Sequence, residues 1–527
     1  VQGRSLLLGI SVLAILAGVG AHLPMFVMSA PTYRMASMPM DALMLSGMAS
    51  IVLGAVGSLL ALLPPPMRES ERVAQRIDLR SIDDAPLTTA HWLLAAVLMI
   101  ALIVDVMKPA TLGFVVPGMR DEYGLSRDEV ALFPLSALIG TTVGSLMWGV
   151  LADRIGRRAS ILLAAVWFMG TSICGTMPTF AWNNVMCFMM GMAAGGLLPI
   201  AYTLMAETMP RKHRGWMLVL VGGVGTAGGY WAAAANAAIV EPILTWRGLW
   251  FAGVPTGLSL LLLNRWLPES PRFLARIGRE AEAKRVLARF GVELRMRDGP
   301  PEASATVERG ARLRHRLMSL AMFLCAFGWG LANFGFLLWL PQDLRHAGID
   351  PATIRGILST SAGVSFPAYL LVAWLYQSWS SRRTIFGCTV VEAAVLCVFA
   401  LLGEGILRSE GALIALIVAL LASSAGVIAA LVPYASEVFA AGSRAPGTGM
   451  VAGASKFGGV IGVLLGASQS ASGVGVDAAV AAVPLLFAAL LLPRVSVETR
   501  GRALDQAGAA APALEAWAPA ASNRDPG

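Results

Sequence analysis

The sequence predicts an all-α polytopic membrane protein of about fourteen spans, and three observations lead there. Of its 527 residues, 56% are hydrophobic and 14% charged, with a mean hydropathy of +0.69. Soluble domains carry about 25% charged residues, and water would not tolerate this much apolar surface. Second, mostly apolar stretches near the roughly 20 residues that a span requires recur along the whole chain. Third, none of them alternates in polarity as barrel strands do, so each must satisfy its own backbone as a helix.

The elements follow in order. Two spans, at roughly 5–28 and 40–63, form an extra segment over residues 1–67. The first run is longer than a signal-peptide core of about 7–15 residues, and a second span follows, so it is expected to stay uncleaved. A basic linker, 68–89, leads to six core spans within 90–267: 90–115, 133–152, 159–177, 184–206, 216–240 and 247–267. A central loop, 268–315, is long and basic, with a helical stretch from Glu280 to Phe290 closed by Gly291. Six more spans fill 316–493: 316–340, 354–376, 384–402, 411–431, 448–469 and 475–493. The tail, 494–527, becomes rich in Ala and Pro and is expected to be largely disordered.

The net charge of +8 is a matter of orientation. With the start of the first core span placed in the cytoplasm, 31 Lys and Arg lie in cytoplasmic segments and 6 on the opposite side. This is the positive-inside pattern; it puts both termini in the cytoplasm and leaves no basic patch for nucleic acid. The five cysteines lie isolated within spans, and the five histidines sit at span ends or in loops. Neither set has metal-ligand spacing, so no metal or cofactor is expected. Gly222, Gly223, Gly225, Gly228 and Gly229 precede no Lys-Ser/Thr pair and read as close helix contacts rather than a phosphate loop.

The core is a duplicated six-helix unit. Gly149-Val-Leu-Ala-Asp153-Arg154-Ile-Gly156-Arg157-Arg158 follows core span 2, and Ser378-Trp-Ser-Ser381-Arg382-Arg383 ends core span 8. Glu207 precedes Arg214 after core span 4 as Glu437 precedes Arg444 after core span 10. Gly113-Phe-Val-Val-Pro117 and Gly335-Phe-Leu-Leu-Trp-Leu-Pro341 close core spans 1 and 7. Three landmarks recur in order at a nearly constant offset. Parallel repeats of even helix count place a substrate site near the midplane between the halves.

The Gly149–Arg158 run resembles, without gaps, the signature loop of the major facilitator superfamily. Pro268-Glu-Ser-Pro271-Arg272 and Glu498-Thr-Arg-Gly501-Arg502 resemble segments of its sugar porters and organic-ion transporters, which include the organic cation and aromatic acid:proton symporters. The resemblance covers about 90–505 and implies two six-helix bundles beside the extra pair. It also implies a cytoplasmic latch of Gly149, Asp153, Arg154, Gly156, Arg157, Arg158, Glu207 and Arg214, with Glu437 and Arg444 as the second half's counterparts. Asp153 would lie near a helix N-terminus of the other half. Ser378 stands where the second loop would carry an acid, so that half's latch is expected to be weaker. The Phe327–Phe334 stretch lacks the Gln-Gln-Leu-Ser run of sugar porters, which favours organic ions over hexoses.

Within the spans, Asp105 and Lys108 are the costliest residues, since a charge at mid-bilayer is worth about 2.5–3.5 kcal/mol against insertion. At i, i+3 they share a helix face, either neutralising each other or serving as proton carrier and anion attractor. Lys456, Trp329 and Asn333 are the second half's candidates for the pathway, beside Phe334, while Glu392 reads as the holder of a structural hydrogen bond. The expectation is therefore a proton-coupled secondary transporter, not an enzyme. It would move a small organic ion, a carboxylate favoured, by alternating access, as a monomer in the inner-membrane bilayer. The alternatives are an exporter of amphiphilic compounds and a non-transporting sensor.

Overall fold

The computed structural model describes residues 2–63, 77–78, 80–292, 295–296, 309–338, 367–403, 409–439, 443–468 and 473–502, with single residues or pairs between 340 and 361 and at 405 and 504. The helices that matter are α1 (Gln2–Gly20), α2 (Ala42–Leu62), α3 (Thr89–Tyr123), α4 (Arg127–Ile155), α5 (Arg157–Gly170), α6 (Phe180–Thr208), α7 (Arg211–Gly248) and α8 (Gly253–Leu262). The second half holds α9 (Arg309–Gly330), α10 (Ala368–Ser378), α11 (Ser381–Leu402), α12 (Glu410–Val438), α13 (Arg444–Ser468) and α14 (Gly473–Val495). Apart from a two-residue ladder pairing Ile77–Asp78 with Arg295–Met296, the described chain is helical, turn or coil.

Local sequence sets the ends. Asp41 accepts from the Met44 amide at the start of α2, Ser126 and Glu129 form a capping box on α4, and Gly124 closes α3 at φ +63°. Twelve described segments are long and apolar enough to cross a membrane. One of them, Arg211–Trp266, is 56 residues long and covers the expected spans at both 216–240 and 247–267. Within it Thr245 adopts φ 56°, which breaks the helix between them. In the expected span at 354–376, residues 355, 358–359 and 362–366 fall outside the described residues, as do Pro341 and the tail beyond 504. The expected total of fourteen is thus not confirmed by the twelve.

The extra pair packs face to face at small residues: a Cβ on Gly18 would stand 2.5 Å from the Gly47 carbonyl oxygen. The pair then lies against α5, with Ile15, Met25, Phe26 and Met44 clustered on Val166 and Met169. Glu122, at the end of α3, fastens the hairpin loop by accepting from the amides of Met35 (2.7 Å) and Ala36 (3.0 Å) while it pairs with the buried Arg247 (2.7 Å). Between the halves, α4 crosses α13 at glycines: a Cβ on Gly149 would meet the Ala445 carbonyl oxygen at 2.7 Å, and one on Gly449 the Ser145 carbonyl oxygen at 2.5 Å.

Candidate functional site

Two constellations stand out, one in the spans and one where the two bundles touch near their basic loops. The spanning one starts from Asp105, buried in α3 with Oδ1 lacking any hydrogen-bond partner. No ion pair joins it to Lys108, so the expected i, i+3 neutralisation does not form. Lys108 turns into its own bundle instead. Its Nζ donates to the Phe168 carbonyl oxygen (2.6 Å) and Thr171 Oγ1 (3.0 Å), lies 4.9 Å from the Phe168 ring centroid, and packs where a Cβ on Gly253 would fall. The ammonium that acts on Asp105 is Lys456 of α13, in the other half, and Asp105 is the charge that acts on Lys456.

Aromatic faces hold Lys456 in place. Its Nζ lies 5.7 Å from the Trp329 ring centroid and 5.1 Å from that of Phe334. Trp329 closes α9, and Asn333 and Phe334 lie in the π-helical turn Leu331–Phe336 that follows. Such turns shift the register of the side chains after them and are frequent at functional sites. Trp329 Nε1 donates to the Ser424 carbonyl oxygen (2.9 Å), and Asn333 Nδ2 to Ser424 Oγ (2.6 Å). The structure thus brings together Asp105, Lys456, Trp329 and Asn333, and sets Lys108 apart. Farther along α13, a small open cleft is lined by Leu331, Phe336, Gly462 and Asp477, the last an acid that the sequence did not mark out.

The second constellation is built on a turn that only glycine can make. Gly156 adopts φ +104°, and a Cβ there would lie 2.3 Å from Glu269 Oε2. The turn presents the amides of Arg157 (2.8 Å) and Arg158 (3.2 Å) to the Glu269 carboxyl. Glu269 lies outside the spans, and burial raises its pKa against the lowering effect of these and neighbouring amides. Arg158 is also held by Asn264 Oδ1 (2.7 Å), whereas Arg154 stands exposed. Arg157 is buried and forked: it pairs with Asp153 (2.8 Å) and with Glu207 (3.1 Å). Glu207 in turn binds Arg444 of the other half at 3.0 Å. Thr203 and Thr448 meet at 3.2 Å beside that bridge.

Other candidates are arranged differently from expectation. Neither carboxyl oxygen of Asp153 receives a backbone N–H from α13; Gly149, one turn earlier, meets that helix's first turn instead. Arg214 ion-pairs with Asp83, which also accepts from the Leu504 amide (3.3 Å) and stands 3.9 Å from Arg272. Glu437 accepts from Tyr376 Oη (2.8 Å) and Thr499 Oγ1 (2.6 Å). Ser378 is exposed, its hydroxyl donating to the Trp374 carbonyl oxygen (2.5 Å). Sequence reasoning missed Asp83 and Asn264, and it read Glu269 and Glu498 only as parts of resembling segments. Each lies far in sequence from its partner, and only the repeat offset between Glu269 and Glu498 hinted at a shared job.

Comparison with known proteins fits this geometry. The family model of the Major Facilitator Superfamily matches residues 93–346. Over 432 residues the chain is 29% identical to the gallate transporter of Pseudomonas putida, covering 78% of this chain and 91% of that one. It is 27% identical to the synaptic vesicle 2-related protein of Rattus norvegicus, covering 79% and 80%. The 4-hydroxybenzoate transporter PcaK of Pseudomonas putida is 26% identical, over 75% and 90%. Among solved structures, the proton:xylose symporter XylE from E. coli superposes with a TM-score of 0.66 at 16% identity, over 80% of this chain and 99% of that one.

Proposed function

We propose, from the premise that this chain belongs to the Major Facilitator Superfamily and is a transporter rather than an enzyme, that it carries a small aromatic carboxylate together with a proton. The observation that carries this reading is that Asp105 and Lys456 act on each other's charge across the halves, with Lys456 against the ring faces of Trp329 and Phe334. While Asp105 is ionised it neutralises Lys456. Once it takes a proton, the ammonium is left to bind a cargo carboxylate, so proton and anion load together and no uncompensated charge crosses. Trp329 and Phe334 offer ring faces to an aromatic body, and Asn333 a polar contact at its edge. The similarity to gallate and 4-hydroxybenzoate transporters supports an aromatic acid as cargo.

The excess of basic residues in one set of loops supports an inner-membrane orientation with both termini cytoplasmic, and nothing in the cargo site requires a second copy of the chain. The latch then closes the cytoplasmic side, and rocking would open it. The test is uptake of 4-hydroxybenzoate into proteoliposomes with and without an imposed pH gradient, beside counterflow exchange. Asp105→Asn imitates the protonated acid, so it should exchange cargo at rates near wild type and fail to accumulate it. Accumulation by this variant would end the proton-carrier role of Asp105.

A further inference from the structure

Glu392, in the middle of α11, is fully buried, and neither of its carboxyl oxygens has a hydrogen-bond partner of good geometry. The sequence suggested a structural hydrogen bond there; the Ser424 hydroxyl stands where it could form one, without closing it. Three elements surround the carboxyl. From α9 comes Cys325, whose thiol meets Thr389 Oγ1 at 3.3 Å; from α11 itself, Cys388; and from α12, Ser424, the polar group nearest to acting on it. Of the other helices packed on α11, α14 carries as charged groups only Asp477 and Arg494, both near its ends, and α10 carries none, its titratable groups being Tyr369 and Tyr376. Among the described residues no cation acts on Glu392.

A lone carboxylate in such a place has no compensation for lost water, so the resting group is the neutral acid. An ionisable side chain kept inside a span without a structural partner points to a function. Ser424 supplies the connection. Its carbonyl oxygen holds Trp329 and its hydroxyl holds Asn333, while the same hydroxyl stands beside Glu392. We propose that Glu392 is a second proton-binding site of the transport cycle, read by the cargo site through the hydroxyl of Ser424.

Protonated, Glu392 donates its O–H to Ser424 Oγ, which accepts from Asn333 as well. On release, the carboxyl O–H bond breaks and the proton passes to water reaching the opened site. Ser424 then turns its own O–H toward the carboxylate, which withdraws the hydroxyl from the geometry that fixes Asn333. The protonated state therefore holds Asn333 and Trp329 in the cargo-binding arrangement. Lower pH favours cargo binding, and Glu392→Gln, a permanent neutral donor, should fix the favoured state.

This inference rests on the cargo site proposed above, and its test separates the two. Half-saturation of 4-hydroxybenzoate counterflow is compared at about pH 6 and about pH 8, where its carboxylate stays ionised. The wild type should show a ratio of about tenfold, the usual scale of coupling between linked sites. Glu392→Gln should shrink the ratio to the part that Asp105 alone sets, and Ser424→Ala should shrink it to the same part by cutting the connection. A wild-type ratio retained in Glu392→Gln would overturn the proposal. If the wild type does not carry 4-hydroxybenzoate, the cargo reading fails, and infrared spectroscopy decides the proton site alone. The carbonyl stretch of a protonated acid should be present in wild type at neutral pH, absent in Glu392→Gln, and shifted by Asn333→Ala. Its absence from wild type, or its indifference to Asn333→Ala, would overturn the proposal as well.

Discussion

Glu207 and Glu437 close equivalent helices in the two halves, yet guanidinium groups hold the first and hydroxyl groups the second. The scaffolds around them match closely. Glu269 accepts from the Arg157 amide as Glu498 accepts from the Ser381 amide (3.0 Å), and Arg158 Nε reaches Asn264 as Arg382 Nε reaches Ser496 Oγ (3.0 Å). Two differences break the symmetry. Ser381, aligned with Gly156 in the sequence repeat, takes the place of Arg157 in the folded loop, where its amide meets Glu498 as the Arg157 amide meets Glu269, so no guanidinium enters beneath Glu437. Arg214, counterpart of the Arg444 that crosses to Glu207, is the positive charge acting on Glu437, but its ion pair is with Asp83. One bundle thus carries a charged bridge to its partner, and the other has had its bridge diverted by a residue just ahead of the core.

The largest way to test this asymmetry is to remove each acid. Glu207→Ala strands the buried Arg444 and leaves the buried Arg157 with Asp153 alone, and should lower unfolding stability by about 3–5 kcal/mol, the usual loss when one member of a buried pair goes. Glu437→Ala leaves only two hydroxyls without an acceptor and should lower it by about 1–2 kcal/mol. Denaturant unfolding of the purified protein measures both, and equal losses would mean that charge is not what distinguishes the halves.

Asp83 gives a smaller, directional effect. Asp83→Asn frees Arg214 to reach Glu437 and form the bridge that pseudo-symmetry calls for. A second cross-half pair should hold the latch side shut, slowing turnover by about fivefold, at the low end of coupling between sites. Adding Glu437→Gln removes the new partner and should restore turnover. A slow double variant would show that Asp83 acts through Arg272 or the Leu504 amide instead.

These contrasts mark how far the sequence could be read. The spans were legible because a bilayer demands long apolar helices, and the Gly156 turn because only glycine tolerates its φ. The repeat made Glu207, Arg214, Glu437 and Arg444 visible as a set. Which acid met which base was not legible, since Asp83 and Arg214 meet only when the chain folds back over a whole bundle. Asp105 and Lys108 failed as a pair for a local reason. Residues at i, i+3 share a helix face, but Lys108 is long enough to reach the Phe168 carbonyl oxygen behind that face. The partner of Asp105 lies on a helix of the other half, and no spacing rule connects them.

The smallest expected effect concerns Ser378, where the second signature loop departs from the first. A weaker latch in that half suggests that Ser378→Asp should strengthen it. The geometry argues otherwise. Asp153 is part-buried against a buried arginine, itself shared with Glu207. Ser378 is exposed, and its nearest counterpart to that arginine, Ser381, carries no charge. Arg382 is already held by Ser496 and by the Pro493 carbonyl oxygen, so a new carboxylate would have to compete for it through solvent. An exposed pair of that kind contributes about 0.2–1 kcal/mol at best. Ser378→Asp alone should therefore leave unfolding stability and turnover within experimental scatter of wild type. Ser378→Asp with Ser381→Arg should lower turnover, because the second substitution supplies the buried guanidinium that the acid needs. Should the single substitution slow transport as much as the double, position 378 would lie in the closing surface itself, and the asymmetry would begin at the loop rather than beneath Glu437.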